Sequence, residues 1–338
     1  MTSLPPVPSP LADLAVVVRS GVVESRHLGS LAALAADGSI AWQTGSDAQI
    51  LPRSTVKPVQ ALACLIAGAD LDGADLAIAA GSHTGEDVHV DAVRSMLQRA
   101  GLSDEALGCP VDWPEDEPTR ERLIREGETR SRVRMNCSGK HAAMLLACAV
   151  NGWDTATYLD PAHPLQQLVR STLERLSGEE VRYDAVDGCG APLFSASPLG
   201  IARIFRALVT AEPGSPERRV ADAMRAFPRF VGGDHHANTD AMLRVPGLLA
   251  KGGAEGVIGM ATADGAAVSM KILDGNPRAT TLVALTVLEA LGADIRDAGD
   301  LVALPILGGG VPVGSIEVGG DVRAWLDARR ASAADAAP

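Results

Sequence analysis

The sequence predicts a mixed α/β (α+β) protein in which both ends of the chain build one antiparallel sheet. β-leaning runs occupy residues 16–35, and a tight turn at 36–39 leads to a return strand at 40–42. Near the other end, a second hairpin pattern covers residues 256–273, and further strands are expected within 303–319. Because these strands bracket a mostly helical middle, we expect flanking helices and an inserted helical lobe.

The helical middle is marked by apolar residues that recur at the spacing of an amphipathic helix. One helix is predicted to start near Ser54, and Thr84 with Asp87 has the capping-box spacing of a helix that reaches about Ala100. Another is predicted over 278–291. The remaining helical patterns occupy residues 117–127, 139–151, 165–177, 198–211 and 216–226.

We expect one domain, residues 1–330, made of two lobes. The sheet lobe covers about 14–60 and 245–322, and the mainly helical lobe covers about 61–244. The first fifteen residues are rich in Pro and Ser and are predicted to be a mobile arm. Residues 326–338 are rich in Ala, Asp and Arg, and we expect them to fray, with 331–338 as a flexible tail.

Composition excludes several classes of partner. The chain has 338 residues, of which 46% are apolar, so it can bury a large core. Its net charge is −12 and it has no basic block, which argues against nucleic acid and against an anionic membrane surface. The N-terminus has no signal-peptide pattern, and no apolar run approaches membrane-spanning length. These features predict a soluble, cytoplasmic protein whose five cysteines form no disulfide framework.

Lysine is scarce: only four of the thirty basic residues are lysine. A lysine retained against this bias indicates a position where arginine cannot substitute, because a buried lysine can lose its proton near neutral pH. Lys57, Lys140 and Lys251 lie beside Ser, Cys or Gly in loop-like contexts. Lys271 lies in an alternating strand and is interpreted as a cation at the sheet margin.

Ser54 and Lys57 form the first candidate catalytic pair. They are three residues apart at a predicted helix start, so both side chains can share one face. Serine needs an adjacent base to become a nucleophile, and a lysine with a depressed pKa can be that base. The helix N-terminus also favours a developing alkoxide. The S-x-x-K pattern is common, however, so the pair needs support from elsewhere in the chain.

Ser82 and Lys251 supply that support. Ser82 ends a buried segment on a glycine-flanked turn, and Lys251-Gly252-Gly253 stands directly before the C-terminal hairpin. The order S-x-x-K, later serine, then K-x-G is found in penicillin-recognising serine acyltransferases. In such a site, one lysine depresses the pKa of the other. The alternative is that Ser82 caps a helix and Lys251 is a surface cation.

A third cluster combines Cys137, Lys140 and His141 with Asp187 and Cys189. Two thiolates suit zinc, and His141 or Asp187 can serve as a ligand or support one. The spacing matches no standard zinc motif, and lysine must be neutral to bind a metal. Reduced loop thiols are therefore the alternative to a metal site.

The histidines outside this cluster carry weaker signals. His83 and His89 lie in one loop-to-helix region. The run 234–236, Asp-His-His, resembles a metal pair, but its position between helices favours a solvated loop. His27 and His163 are interpreted as structural.

Taken together, these motifs resemble the rhizobial-type (thermolabile) L-asparaginases, also called asparaginase II. The resemblance covers roughly residues 14–320 and is most specific at Asn-Cys-Ser-Gly-Lys-His, residues 136–141. The other matching strings are Arg53-Ser54-x-x-Lys57-Pro58-x-Gln60-Ala61, Ser82-His83-x-x-Glu86, Asp187-Gly188-Cys189 and Lys251-x-Gly253-Ala254.

The resemblance implies a serine β-lactamase and glutaminase-like fold, a homodimer, and hydrolysis of L-asparagine to L-aspartate and ammonia. It pairs Ser54 with Lys57 and Ser82 with Lys251. It also implies a zinc ion held by Cys137, Lys140, Cys189 and water, which tunes substrate affinity and does not supply the nucleophile. By the same resemblance, the substrate site is lined by Arg53, Glu86, His141 and Asp187.

Two departures from the family pattern affect the specificity expected from it. Gly190 stands where a larger polar residue is expected, and Gly252 follows Lys251 directly. Glutaminase, penicillin amidase or esterase activity is therefore an alternative on the same fold. A non-catalytic zinc- or ligand-binding protein is the alternative from another class. The two serines can also exchange roles, since each has a lysine partner.

Overall fold

The computed structural model describes residues 10–335, with side chains described to residue 332. Its strands are β1 (Ala12–Arg19), β2 (Val22–Leu34), β3 (Ile40–Thr44), β4 (Asp184–Val186), β5 (Pro192–Phe194), β6 (Leu249–Gly253), β7 (Val257–Ala261), β8 (Ala267–Ile272), β9 (Leu304–Gly308) and β10 (Val311–Val318). Its helices are α1 (Lys57–Ile66), α2 (Gly73–Ala79), α3 (Asp87–Arg99), α4 (Glu117–Arg125), α5 (Ser138–Asn151), α6 (Pro164–Ser177), α7 (Pro198–Thr210), α8 (Pro216–Ala226), α9 (Pro228–Gly232), α10 (Ala237–Arg244), α11 (Thr280–Ala290), α12 (Gly299–Val302) and α13 (Gly320–Asp335). Short 3₁₀ helices lie at Arg53–Val56, Asp104–Ala106, Pro277–Ala279 and Arg296–Ala298. No helix within 10–335 is both long and apolar enough to cross a membrane.

One antiparallel sheet contains strands from both ends of the chain. Its order is β6-β7-β8-β2-β1-β10-β9, and β3 pairs with the far half of β2. The first half of β2 pairs with β1, while its second half, Gly29–Leu34, pairs with β8. Because β2 pairs with both strands, it joins the N-terminal hairpin to the C-terminal one. The sheet and the helices inserted within it confirm the predicted fold class.

Helices cover the sheet and surround a central helix. α7 and α11 both contact β7 and β8, and every residue of β7 is buried. Within the helical middle, α5 packs against α1, α2 and α3, and its residues from Ser138 to Cys148 are buried. The N-terminal end of this buried helix carries Lys140 and His141. These two polar side chains are therefore buried in the core of the protein.

Two segments differ from the sequence prediction. Strand β1 begins at Ala12, inside the expected mobile arm, because it pairs on one side with β2 and on the other with β10. Helix α13 runs through much of the expected fraying tail, because it packs on β1 and stacks Trp325 on Trp42 with ring centroids 5.2 Å apart. The rest of the arm and tail, residues 1–9 and 336–338, lies outside the described residues.

Gly259 in β7 allows α7 to approach the sheet. A Cβ atom at this position would lie 2.4 Å from the ring of Phe205, which is fully buried in α7. Gly259 is also the cross-strand partner of Lys251. The close approach of helix and strand therefore fixes the strand that carries a predicted catalytic residue.

We predict that Gly259→Ala lowers the free energy of unfolding by about 1–3 kcal/mol, the usual effect of overpacking a core. Chemical denaturation measures the change. Gly299→Ala is the matched control, since a Cβ there meets no atom within 4 Å. Equal stability of the two variants would contradict the role given to Gly259.

Candidate active site

A cavity of about 670 Å³ lies where the edge strand β6 meets the helical middle of the chain. Ser54 reaches it from the turn before α1, Ser82 from the loop after α2, and Lys251 from β6. The cavity thus gathers three of the four predicted catalytic residues from distant parts of the sequence. The lining also includes four large apolar side chains: Val257, Ile258, Leu301 and Leu304.

Arg53 holds the turn that presents Ser54. Its φ of 52° lies in the left-handed region, which is unfavourable for a residue with a side chain. The conformation is held by a partly buried ion pair, in which Arg53 Nε lies 2.7 Å from Asp187 Oδ1. Burial raises the pKa of Asp187, but Lys140 and Arg53 outweigh it and hold that pKa below its ordinary value. Arg53 and Asp187 therefore act together beside Ser54, outside the cavity lining.

Lys57 contacts Ser82, although the family resemblance pairs it with Ser54. Its Nζ lies 2.6 Å from the Gly81 carbonyl, 2.9 Å from Ser82 Oγ and 3.4 Å from the Asn136 carbonyl. These three acceptors match the three donors of an ammonium group. Within residues 10–335, no hydrogen bond joins Lys57 Nζ to Ser54 Oγ.

Lys251 is the buried amine that can be neutral. Its side chain is 1% exposed, and its Nζ donates to the Gly252 carbonyl at 2.5 Å. Burial and repulsion by the Lys57 ammonium lower the pKa of Lys251 to about 7, against partial opposition from Cys137 and Glu115. At neutral pH, a large fraction of Lys251 is therefore a free amine, which can accept a proton.

Cys137, Lys140 and Cys189 form a buried cluster beside this cavity. Lys140 Nζ lies 3.1 Å from Cys189 Sγ and 3.9 Å from Asp187 Oδ2. A hydrogen bond from Cys189 lowers the pKa of Cys137 well below its ordinary value, with help from the Lys57 and Lys140 charges. Burial lowers the pKa of Lys140, but Cys189, Cys137 and Asp187 outweigh it and raise that pKa above its ordinary value.

The donor set of this cluster fits zinc if Lys140 is one of the ligands. Two cysteine sulfurs are donors that zinc prefers, and a neutral lysine nitrogen is an unusual third donor. Among the described residues, no three His, Cys, Asp or Glu side chains are grouped to hold a metal. A protein site here therefore depends on Lys140, which must lose its proton to bind the ion.

His141 is buried and contacts Tyr158. The Tyr158 hydroxyl accepts a hydrogen bond from the Gly108 N–H at 2.7 Å and lies 2.6 Å from His141 Nδ1. The contact with Tyr158 therefore occupies Nδ1 and leaves Nε2 as the other ring nitrogen of His141. This Nε2 is buried and lacks a partner in the described part of the chain. Burial, Lys140 and Lys57 lower the pKa of His141 well below its ordinary value.

Glu86 has a structural environment. Its side chain takes part in a capping box with His89 at the start of α3. It also forms an ion pair with Arg229, with Oε2 2.5 Å from Nη2. Glu86 is not among the residues that line the cavity.

Several polar residues of the cavity were not among the predicted site residues. These residues are Glu115, Asn136, His236 and Asn238. Burial and the Lys251 charge lower the pKa of His236 to about 4, and its Nδ1 accepts from the Asn238 N–H at the start of α10. The interpretation of 234–236 as a solvated loop is therefore wrong for His236. A histidine directly before a helical pattern is the signal that was available, since it can cap the helix.

The chain thus combines a helix-covered sheet with a cavity that contains two serines and a buried lysine. The family model described as L-asparaginase II matches residues 15–318. The chain belongs to this family, and it is therefore an amidohydrolase. The comparison with curated proteins gives no match.

The solved structures that match this chain are distant in sequence. A candidate β-lactamase from Bacteroides dorei is 12% identical, with 77% of this chain and 92% of that chain covered at a TM-score of 0.43. A β-lactamase from Desulfarculus baarsii is 19% identical, with 79% and 92% covered at a TM-score of 0.35. Simvastatin synthase from Aspergillus terreus, as a mutant, is 13% identical, with 72% and 86% covered at a TM-score of 0.34.

We predict that Lys251→Met raises the free energy of unfolding at pH 7 by up to about 4 kcal/mol. The folded-state pKa of about 7 lies below the ordinary 10.5, so the unfolded chain binds the proton more tightly. Lys251 therefore destabilises the folded wild type. This destabilisation is complete below pH 7, shrinks as pH rises and is absent above pH 10.5. Denaturation curves of wild type and Lys251→Met between pH 6 and 11 measure the effect. The stability gained by the Met variant should decrease as pH rises.

Lys251→Arg is the control for this prediction, because arginine keeps its charge at every pH in that range. It should unfold more easily than the wild type. A Met variant that is less stable than wild type at pH 7 would contradict the low pKa of Lys251.

Proposed function

We propose that this amidohydrolase is an L-asparaginase, which hydrolyses L-asparagine to L-aspartate and ammonia through an acyl-enzyme on Ser54. The observation that carries the proposal is Lys251, a buried amine with a pKa of about 7 that shares a cavity with Ser54 and Ser82. Such an amine can take the proton of a serine at neutral pH. Family membership supplies the amide as the class of substrate.

Ser54 is the proposed nucleophile because of its position. It lies in the 3₁₀ turn that leads into α1, where the positive end of the helix favours an alkoxide. This turn packs against β6, since a Cβ on Gly253 would lie 2.7 Å from Thr55 Oγ1. The strand that carries Lys251 is thus in direct contact with the turn that carries Ser54.

In the proposed reaction, neutral Lys251 takes the proton of Ser54 as Oγ attacks the side-chain amide carbon. The Lys57 ammonium then passes a proton through Ser82 to the nitrogen, the C–N bond breaks, and ammonia leaves. Water attacks the Ser54 ester and returns a proton through Ser82 to Lys57. Lys251 gives its proton back to Ser54 as aspartate is released. The contact of 2.9 Å between Lys57 Nζ and Ser82 Oγ supports this relay.

We predict that Ser54→Ala lowers kcat for ammonia release from L-asparagine by at least about 10³-fold, because acyl-enzyme formation needs the hydroxyl. The wild-type kcat/KM should rise with pH through an apparent pKa of about 7, since Lys251 must be neutral to act as a base. Coupled ammonia assays between pH 5.5 and 9 measure both effects.

L-Glutamine, penicillins and simple esters are assayed in parallel, because a glutaminase or another amidase or esterase on this fold is the second candidate. Ser54→Ala with near-normal turnover would remove Ser54 from its role and leave Ser82 as the nucleophile. Stoichiometric zinc binding without hydrolysis of any of these substrates would support a non-catalytic binding protein.

We also propose that Cys137, Lys140 and Cys189 hold a zinc ion. When bound, zinc would supply a positive charge beside the Asp187–Arg53 ion pair and so alter substrate affinity. The residues of the chain themselves perform each proton transfer described above.

We predict that Cys137→Ser or Cys189→Ser lowers the zinc content, measured by mass spectrometry of metals, and raises KM for L-asparagine about 10-fold or more. The control is Cys64→Ser, which changes a buried thiol elsewhere in the core. Wild-type zinc content and KM in both cluster variants would exclude this site.

A further inference from the structure

Glu115 provides the only acidic side chain among the described residues that line the cavity. It lies in the segment between the 3₁₀ helix at Asp104–Ala106 and α4, and it is exposed at the cavity wall. The same cavity contains Lys251 and Arg278 as basic residues. One fixed negative charge therefore faces the space in which the proposed reaction takes place.

Asn136 fixes the position of this carboxylate. Its Nδ2 donates to Glu115 Oε1 at 2.6 Å. The backbone of Asn136 is itself held, because its carbonyl accepts from the His83 N–H at 3.1 Å and from Lys57 Nζ at 3.4 Å. Glu115 is thus tied to the residue that also holds the Lys57 ammonium beside Ser82.

The second carboxylate oxygen of Glu115 is available to a ligand. Among residues 10–335, Oε2 receives no hydrogen bond, and the carboxylate forms no ion pair with Lys, Arg or His. A carboxylate with one oxygen anchored and the other free is well suited to bind a cation in a single orientation. An ammonium group on the substrate has the opposite charge and can donate a hydrogen bond to this oxygen.

We propose that Glu115 binds the α-ammonium group of the substrate and thereby selects free α-amino acids over amides without an amino group. This inference rests on the proposed function, because it assumes that the amide is hydrolysed in this cavity. It makes Glu115 a specificity-determining residue, with no part in the proton transfers. Asn136 is the residue that positions it.

The test compares L-asparagine with succinamate, which is the same amide without the α-amino group. In the wild type, we expect a strong preference for L-asparagine. In Glu115→Gln, kcat/KM for L-asparagine should fall about 10- to 100-fold, mainly through KM, because a hydrogen bond between charged groups is lost. The value for succinamate should change less than about 3-fold, so the preference collapses.

Glu117→Gln is the matched control, since it removes an exposed carboxylate near Glu115 in the sequence but outside the cavity. It should leave both substrates unaffected. An equal loss for the two substrates in Glu115→Gln, or no loss for L-asparagine, would overturn the proposal.

Calorimetric titration of wild type and Glu115→Gln with L-aspartate and with succinate separates this inference from the proposed function. Only wild type should prefer L-aspartate. If wild type hydrolyses no amide, the proposed function fails, while the titration still decides whether Glu115 binds an α-ammonium group. Equal preference in both proteins overturns the role of Glu115.

Discussion

The hydrogen bonds of Lys57 organise the centre of this protein. One amine at the start of α1 joins the loop after α2 and the segment before α5 by donating to the Gly81 and Asn136 carbonyls. It also contacts Ser82 Oγ, so the same group sets the position of a cavity serine. Its charge reaches further, because repulsion by Lys57 helps to lower the pKa values of Lys251 and His141. Lys57 therefore contributes both to the geometry of the site and to the protonation states of its neighbours.

Three lysines are buried in one region, and each avoids the large cost of an isolated buried charge in a different way. Lys57 has backbone carbonyls as acceptors. Lys140 has the two cysteines and Asp187, which raise its pKa despite burial. Lys251 has little compensation, so its pKa falls to about 7 and it gives up its proton. The three environments suit an amine that exchanges a proton with Ser82, a metal or thiolate partner, and a base.

These environments explain how much of the site the sequence could reveal. The scarcity of lysine singled out Lys57, Lys140 and Lys251, and all three are buried. Their partners were less accessible. The spacing of Ser54 and Lys57 predicts that their side chains share a face, but it contains no information on competing acceptors. The carbonyls of Gly81 and Asn136 approach Lys57 only in the folded chain.

The same distinction applies to the fold. Hairpins and helices with regular apolar spacing were predicted, and those at α4, α5, α6, α7 and α8 are confirmed. The failures are segments whose structure depends on distant contacts. β1 is ordered from Ala12 by strands on both sides, and α13 by the stacking of Trp325 on Trp42. Glu115 could not be predicted as a site residue for the same reason. Its hydrogen bond to the Asn136 amide forms only when the chain is folded.

The contacts of Asn136 also provide a route by which the proposed metal site would influence substrate affinity without touching the reacting atoms. Its Nδ2 donates to Glu115, and its Oδ1 lies 3.1 Å from Cys137 Sγ. A change of charge at Cys137 therefore acts on the side-chain amide of Asn136. The same amide orients Glu115, the carboxylate proposed to bind the α-ammonium group. The backbone carbonyl of Asn136, in contrast, is held by Lys57 and His83 and does not depend on that amide. Metal occupancy is thus expected to act on KM, while the Lys57–Ser82 contact used in proton transfer keeps its geometry.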